Sequence, residues 1–264
     1  MNVMNSGIRI TRNADVATVA LDNPGKLNAL TLAMWEALAA RIRELSADDD
    51  LRCIVLRGAG DEAFAAGADI AEFEQVRDTR EQAKIYHHQY VFGALRAIAE
   101  CRHPTVAMIK GPCAGGGLEI ACQCDLRISG RSGRFGVPIN RLGFAIAYDE
   151  LAAVLPLIGR ATALEILLEG RMLDADEAFA KGLLTRVVAD EDAEQEAYAT
   201  ARRIAAGAPL VARWHKQYVR RLSPVSPALT EAEIDANFDA LDTEDYRIGR
   251  SAFLAKTKPR FVGR

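Results

Sequence analysis

The chain has 264 residues, half of them apolar, with 33 basic and 36 acidic side chains and a formal charge of −3. A chain of this size and composition can bury a sizeable core, as one domain or as one domain with a small extension. No block of Lys and Arg creates the broad positive field that a phosphate backbone attracts, so nucleic acid is not expected as a partner.

The N-terminal segment, residues 1–7, lacks the charged-then-apolar order of a secretory signal, and no apolar run approaches the ~18 residues of a membrane-spanning helix. The five cysteines are an odd number, which suits reduced core thiols better than a disulfide framework. We therefore expect a cytoplasmic protein with no membrane partner. The Cys and His spacings match no recognised zinc pattern, so no metal site is expected.

Short β-rich runs alternate with helical patterns, which predicts an α/β fold. The predicted elements, in chain order, are a strand at 16–21, a helix at 32–45, a strand at 51–56, a helix from 70 onward, and strands at 105–109, 125–129 and 185–188. Thr31 is placed to cap the first of these helices. Asp174 and Glu177 form a capping-box pattern.

After about residue 190 the pattern is helical throughout. Pro209, Pro224 and Pro227 punctuate this last part of the chain, where proline is typical of helix starts. We interpret 1–190 as an α/β core and 191–264 as a helical C-terminal extension.

A strand that ends near Ile109 leads into three successive glycines, Gly115 to Gly117, and then into a helical pattern. Glycine lets a ligand approach the backbone, and the free N–H groups at a helix start favour developing negative charge. The sequence therefore predicts an anion site here, although tight turns also select glycine.

Glu119 lies in the first turn of that helix, among Leu118, Ile120 and Ala121. An acid among apolar neighbours is costly unless it is paired, neutralised or used. Desolvation should raise its pKa, as general acid/base catalysis requires. The alternative is a helix-start carboxylate that interacts only with the helix dipole.

A second loop of small residues, 64–72, follows the predicted strand at 51–56, and its Asp69 and Glu72 form a D-x-x-E capping pattern for the next helix. Two N–H groups, one from each loop, would stabilise a thioester oxygen as it gains charge. Two ordinary loops remain the alternative.

In combination these segments resemble the crotonase superfamily, the enoyl-CoA hydratase/isomerase family. The segments that carry the resemblance are 23–31, 66–70, 115–119, the Phe-Gly-x-Pro run at 135–138, and 253–261. The resemblance implies an α/β crotonase (ClpP-like) spiral of ββα units, assembled as a homotrimer or a dimer of trimers. It implies an acyl-CoA thioester as substrate, with coenzyme A as part of that substrate rather than a cofactor.

Carried over residue by residue, the resemblance places the two oxyanion-hole amides at Ala68 and Gly116 and the catalytic carboxyl at Glu119. It assigns substrate contacts to Lys26, Leu27, Ala29, Ala66, Asp69, Ile70, Gly115, Pro138, Ile139, Leu142, Lys258 and Phe261. The last two match a C-terminal segment that often reaches a CoA bound to a neighbouring subunit.

Hydratases of the family carry a second glutamate directly after the proline of Phe-Gly-x-Pro, but this chain has Ile139 there. With one carboxyl, a lyase reaction, a shift of the double bond by a delta-isomerase, and decarboxylation of a malonyl-type thioester all stay open. We expect Asp149 to be a helix N-cap and Glu150 to support the helix dipole, with a substitute carboxylate as the alternative.

The run containing Tyr86, His87, His88 and Tyr90 falls on the helix where the family places acyl-pocket residues, although core packing explains it equally well. Two rival classes remain. The Gly58-Ala59-Gly60 segment mimics a dinucleotide fingerprint, but the next helix cap, at Asp69, is too distant for one. A non-catalytic acyl-CoA-binding protein on the same fold would gain nothing from a desolvated Glu119.

Overall fold

The computed structural model describes residues 7–223 and 229–264, so Pro224 and Pro227 lie outside the described residues. Its strands are β1 (Gly7–Asn13), β2 (Val16–Asp22), β3 (Cys53–Gly58), β4 (Thr105–Ile109), β5 (Pro112–Ala114), β6 (Leu126–Gly130), β7 (Arg134–Gly136), β8 (Leu173–Asp174) and β9 (Arg186–Val188). A six-stranded sheet has the order β1-β2-β3-β4-β6-β9 and is parallel except for the β1–β2 hairpin. A small sheet has the order β5-β7-β8.

The helices are α1 (Leu32–Ala47), α2 (Phe73–Val76), α3 (Arg80–Ile85), α4 (Phe92–Glu100), α5 (Gly116–Gln123), α6 (Tyr148–Leu168), α7 (Ala175–Ala180), α8 (Ala193–Ala205), α9 (Pro209–Leu222), α10 (Glu231–Ala236) and α11 (Glu244–Leu254). Short 3₁₀ turns cover Ile70–Glu72 and Pro138–Leu142, and a π-helical segment covers Tyr86–Val91.

The sequence predicted every parallel strand of the large sheet to within two residues. The Thr31 side chain caps α1 by accepting from the Met34 N–H at 3.2 Å, and Asp174 and Glu177 form the predicted capping box. Pro209 is the first residue of α9, as predicted. The strands β1, β5, β7 and β8 were missed, because three of them have three residues or fewer and show no alternation.

The single helix predicted from residue 70 onward is wrong. The chain forms a 3₁₀ turn and α2, leaves helical geometry at Arg77 (φ −152°), and starts again at α3 with Thr79 as N-cap. Thr79 and Gln82 form a capping box, so this new helix start is stabilised locally. The break turns Arg77 inward, where it is 3% exposed.

The two faces of the large sheet carry separate apolar layers, because successive side chains of a strand point to opposite sides. Val19 and Leu56 pack with α1 residues such as Leu38 and Ile42 in the main core. The opposite face packs against α8, with these core members: Val16, Cys53, Val55, Val106, Met108, Ile128, Ala197, Ala201 and Ala205. Both layers hold the strand ends in place, and the glycine loops follow from those ends.

All five cysteines are free and buried, as expected for core thiols. Within the described residues, α6 is the one helix long and apolar enough to cross a membrane by length and composition, with a mean hydropathy of 1.8 over its window. This corrects the expectation that no apolar run approaches that length. The helix is interrupted at Gly159 (φ 69°, ψ 171°), and residues on either side of the break, including Val154 and Ile166, pack into the main core.

Candidate active site

Two loops meet at the end of the parallel sheet, and backbone hydrogen bonds join them. The Ala65 N–H donates to the Pro112 carbonyl at 3.1 Å, and the Ala114 N–H donates to the Ala65 carbonyl at 3.0 Å. Gly67 (φ 103°) and Gly115 (φ 48°) face each other, so that a Cβ on Gly115 would lie 3.8 Å from the Gly67 Cα. Both glycines have backbone conformations that L side chains rarely adopt.

The predicted oxyanion-hole amides, at Ala68 and Gly116, are oriented by the carbonyls of their own peptide groups. The Gly67 carbonyl accepts from the Leu30 N–H at 2.7 Å, and the Gly115 carbonyl accepts from the Glu119 N–H at 3.0 Å. In a trans peptide the N–H points opposite to the carbonyl, so each N–H is directed away from these bonds. Within the part of the chain that the structure describes, neither N–H has a protein acceptor.

The ring of Trp35, on α1, packs against Gly116, whose N–H is the second predicted oxyanion-hole amide. A Cβ on Gly116 would lie 2.7 Å from the Trp35 ring, so only glycine fits against that ring. The indole N–H of Trp35 donates to the Tyr86 hydroxyl at 3.1 Å, and both side chains are buried. The spacing of α1 predicted Trp35 as core, and no signal in the sequence indicated its place beside the glycine loop.

Glu119, on the first turn of α5, is only 4% exposed. No group within residues 7–223 and 229–264 forms a hydrogen bond or ion pair with its carboxyl. Burial raises the pKa of Glu119 well above its usual range, the nearby Glu150 carboxylate raises it further, and Arg77 opposes the shift. The predicted desolvated acid is therefore present, without a partner that would fix its charge.

Glu150 is also 4% exposed, but its carboxyl is held on both sides. One oxygen bonds to His87 Nδ1, and the other accepts from the Ala147 N–H at 3.3 Å. Burial alone would raise the pKa of Glu150, but His87, Arg77 and this N–H together hold it below the usual value. Burial lowers the pKa of His87, and the contact with Glu150 opposes that shift.

The expectation for Asp149 is wrong, since α6 starts at Tyr148 and its N-cap is Ala147. Glu150 occupies the first turn as expected, but its side chain is inside the protein. Asp149 is about one-third exposed and lies 3.5 Å from His88 Nδ1. No signal in the sequence indicated the contact between His87 and Glu150, because these residues are 63 positions apart.

Arg77 lies close to both carboxyls. Its guanidinium carbon is 4.3 Å from the centroid of the Phe73 ring and 4.0 Å from that of Phe144, so the group lies over two aromatic rings. Burial lowers the pKa of Arg77, and the neighbouring Tyr246, Tyr86 and Glu150 offset part of that effect. Sequence reasoning missed this residue, because the charged residues around it are typical of an exposed surface.

The predicted CoA-contact residues of segments 23–31 and 66–70 lie together and form one edge of the protein. Lys26, Leu27 and Ala66 are exposed, and the Ala66 N–H donates to the Leu27 carbonyl at 3.0 Å. The Lys26 ammonium lies 2.6 Å from the buried Asp69 carboxylate. Ile70 is half-buried and Ala29 is buried beside them.

The capping pattern of Asp69 and Glu72 is only half correct. Asp69 caps the 3₁₀ turn by accepting from the Ala71 N–H at 3.2 Å. Glu72 does not reach back to Asp69; its carboxylate accepts from the Leu32 N–H at 2.8 Å, at the start of α1. The pattern missed this because Leu32 is 40 positions away.

The remaining predicted contacts lie in two other places. Pro138, Ile139 and Leu142 are half-buried on one 3₁₀ turn, where Ile139 and Leu142 pack against the cluster that includes Phe144 and Tyr246. Lys258 and Phe261 are exposed in the segment after α11, and neither bonds to the two glycine loops within the described residues. Their predicted contact with CoA stays a prediction. The described residues contain no group of three His, Cys, Asp or Glu side chains suited to a metal ion.

A parallel sheet with two joined glycine loops, free amides and a buried carboxyl defines an α/β protein of the crotonase fold. The family model for enoyl-CoA hydratase/isomerase matches residues 11–264. A probable enoyl-CoA hydratase of Mycobacterium tuberculosis is 35% identical over 97% of this chain and 98% of its own length. The chain therefore belongs to the enoyl-CoA hydratase/isomerase family.

Two solved structures resemble this chain over nearly its whole length. An enoyl-CoA hydratase/carnithine racemase from Magnetospirillum magneticum is 50% identical, with a TM-score of 0.80 over 97% of this chain and 96% of its own. A methylmalonyl-CoA decarboxylase complexed with 2S-carboxypropyl-CoA is 26% identical, with a TM-score of 0.88 over 97% and 98%. The similarity thus spans relatives with different named reactions.

Proposed function

We propose that this protein is an enzyme that converts an acyl-CoA thioester through an enolate. The N–H groups of Ala68 and Gly116 stabilise the thioester oxygen, and Glu119 carries the proton. The observation that carries the proposal is the buried, unpartnered Glu119 carboxyl three residues after the free Gly116 amide on one helix.

When a proton leaves Cα of a thioester, the electron pair moves onto the carbonyl oxygen. Donors fixed in advance stabilise that charge without reorganisation, and losing one of them typically costs ~3 kcal/mol of barrier. The raised pKa of Glu119 allows its carboxyl to donate a proton as well as accept one. In this proposal the exposed edge at Lys26, Leu27 and Ala66 holds the CoA part of the substrate.

Among the reactions of the family we place lyase chemistry, the hydration of an enoyl-CoA, first, because relatives at 29–35% identity over nearly the whole chain are named as hydratases. Isomerisation of the double bond is the second candidate, and a specific observation favours it. Ile139 supplies no second carboxyl, and both oxygens of Glu150 are already engaged, so Glu119 is the free proton carrier. A single carboxyl is sufficient to move a proton between Cα and Cγ.

Decarboxylation of a malonyl-type thioester is a further candidate, supported by the similarity to the methylmalonyl-CoA decarboxylase. That reaction depends on the oxyanion hole more than on a base. The experiment is to incubate the protein separately with crotonyl-CoA, a 3-enoyl-CoA and methylmalonyl-CoA, and to follow thioester absorbance and product mass.

For Glu119→Gln we expect turnover to fall at least ~10²-fold while CoA affinity is largely kept, because the amide cannot carry the proton. Glu100→Gln, on the exposed end of α4, is the matched control and should leave turnover unchanged. An unchanged rate in Glu119→Gln would remove its assigned role. Binding of thioesters with no turnover would favour the non-catalytic acyl-CoA-binding protein.

A further inference from the structure

Arg77 is a buried cation without an ion-pair partner in the described residues, although the Tyr246 side chain lies beside it. Its Nε and Nη2 form no hydrogen bond, and no carboxylate within the described residues lies within ion-pair distance of its guanidinium. Burying a charged donor without a partner is costly, and native proteins retain such groups mainly where they have a role.

The guanidinium is held in one orientation by the rings of Phe73 and Phe144, at 4.3 and 4.0 Å. Cations over aromatic faces are stabilised there, while the N–H groups around the guanidinium edge stay free for a ligand. Tyr246 adds a second polar group beside Arg77, since its buried hydroxyl has no well-formed hydrogen bond and its ring lies 5.7 Å from that of Phe144. Arginine and tyrosine thus both lie against Phe144 and next to each other.

Contacts connect this pair to the proposed oxyanion hole. The ring of Trp35 lies against Gly116, the Trp35 indole bonds to the Tyr86 hydroxyl, and the Arg77 guanidinium carbon is 6.0 Å from the Tyr86 ring centroid. Two aromatic side chains therefore stand in series between the Gly116 amide and Arg77. A group bound by Arg77 would therefore lie two side chains away from the Gly116 amide.

We propose that Arg77 and Tyr246 bind a carboxylate at the far end of the acyl chain, so that the substrate class is a dicarboxylic acyl-CoA. This inference rests on the proposed function, because it assumes that the acyl chain runs from the glycine loops past Tyr86. A guanidinium matches a carboxylate with two parallel N–H bonds, and the tyrosine hydroxyl can donate a further one. A neutral acyl chain would leave Arg77 unpaired, and sites built for hydrogen bonding reject such analogues strongly.

The carboxylate recognised here is not the one that decarboxylation of a malonyl-type thioester would expel. An arginine bound to the departing carboxylate stabilises the starting thioester more than the transition state, in which that charge moves to the enolate oxygen. The arrangement therefore fits a diacid whose far carboxylate stays in place while the carbons next to the thioester react.

The test compares ligands of equal length that differ in one end group. Binding is measured by calorimetry with glutaryl-CoA and pentanoyl-CoA, and turnover with glutaconyl-CoA and 2-pentenoyl-CoA. For the unmodified protein we expect at least ~10-fold tighter binding of glutaryl-CoA, and a kcat/KM at least ~10²-fold higher for glutaconyl-CoA. Equal values for the two members of a pair would overturn the proposal.

Arg77→Gln should abolish the preference by weakening only the diacid ligands, Arg77→Lys should keep part of it, and Tyr246→Phe should reduce it. Arg96→Gln, an exposed arginine on α4, is the matched control and should keep the full preference. If Arg77→Gln weakens both ligands equally, Arg77 is only an internal counter-ion of Glu119 and Glu150, and the inference is wrong. If it fails to fold, the ligand pairs on the unmodified protein and Tyr246→Phe still decide.

The two proposals fail separately. Preferential binding of glutaryl-CoA without turnover of any thioester would refute the catalytic proposal and support the diacid site. Turnover of a thioester with no preference for the diacid ligands would support the catalytic proposal and refute the diacid site.

Discussion

Glu119 and Glu150 are equally buried, yet their surroundings shift their pKa values in opposite directions. Glu150 is compensated by His87, an amide N–H and Arg77, so its ionised form is stabilised. Glu119 has no bonded partner and faces the Glu150 charge, so its protonated form is stabilised. Two carboxyls whose pKa values are driven apart are a common arrangement for acid/base chemistry.

Replacing Glu150 by Gln should lower the pKa of Glu119, because the negative charge that opposes its ionisation is removed. The limb of the pH–rate profile that reports Glu119 should therefore move to lower pH, by about one unit or more. Rate measurements from acid to alkaline pH, with the most active thioester, would show this. The maximal rate should fall less than in Glu119→Gln, since Glu150 does not carry the proton.

Asp149→Asn removes an adjacent carboxylate that faces His88 instead of the site, so it controls for a general change in charge. Its profile should match that of the unmodified protein. A profile of Glu150→Gln that also keeps its position would show that Glu150 has no effect on Glu119.

For single residues, the sequence predicted the features that depend only on neighbouring positions in the chain. An acid among apolar neighbours after a glycine run indicates a desolvated carboxyl, and Glu119 is one. Arg77 and Glu150 could not be predicted, because their burial depends on a helix break and on contacts between distant segments.

At the level of elements, the two loops were predictable because of their glycines. The interruption of the helix between residues 70 and 100 was not predictable. Glycines at Gly67 and Gly115 are required by the local backbone, so their signal is strong. Arg77 at the break contacts the Phe144 ring, and His87 in the π-helical segment Tyr86–Val91 contacts the rings of Phe144 and Phe238. Local periodicity carries no signal for contacts with such distant residues.

The resemblance places Ile139, on the 3₁₀ turn Pro138–Leu142, where family hydratases carry their second glutamate. Ile139→Glu should introduce the group that orients and deprotonates water, and hydration of crotonyl-CoA should appear or rise by ~10-fold or more. The assay is the loss of enoyl thioester absorbance.

Ile139→Gln is the matched control, because it has the same shape but cannot act as a base at neutral pH. A melting curve checks that neither variant unfolds, since Ile139 packs against the cluster around Phe144. No change in hydration for a folded Ile139→Glu would mean that the pocket is organised differently from the family pattern.

For the whole molecule, the resemblance predicts a homotrimer or a dimer of trimers. The helix α9 exposes an apolar set consistent with a subunit contact, namely Leu210, Val211, Trp214, Tyr218, Val219 and Leu222. Sedimentation at micromolar concentration should show an oligomer, and Trp214→Glu should shift it toward smaller species. A monomer at that concentration would count against the assembly.

The alternation of strands and helices established an α/β fold, but the spiral was implied only by the resemblance. Strand order depends on which segments pair across the molecule, and composition and periodicity do not encode it. The break within α6 at Gly159 belongs to the same scale, since an apolar run alone does not distinguish one long helix from two packed halves.

In the proposed reaction, two backbone N–H groups and Glu119 together form a thioester enolate and protonate it again. Exchange of the Cα protons of butanoyl-CoA in deuterated water tests it most directly, because a saturated thioester can be enolised but not hydrated or isomerised. Mass spectrometry should show deuterium entering butanoyl-CoA with the unmodified protein, and at least ~10²-fold slower entry with Glu119→Gln. Exchange at the same rate in both proteins, or no exchange when butanoyl-CoA saturates the unmodified protein, would contradict the claim.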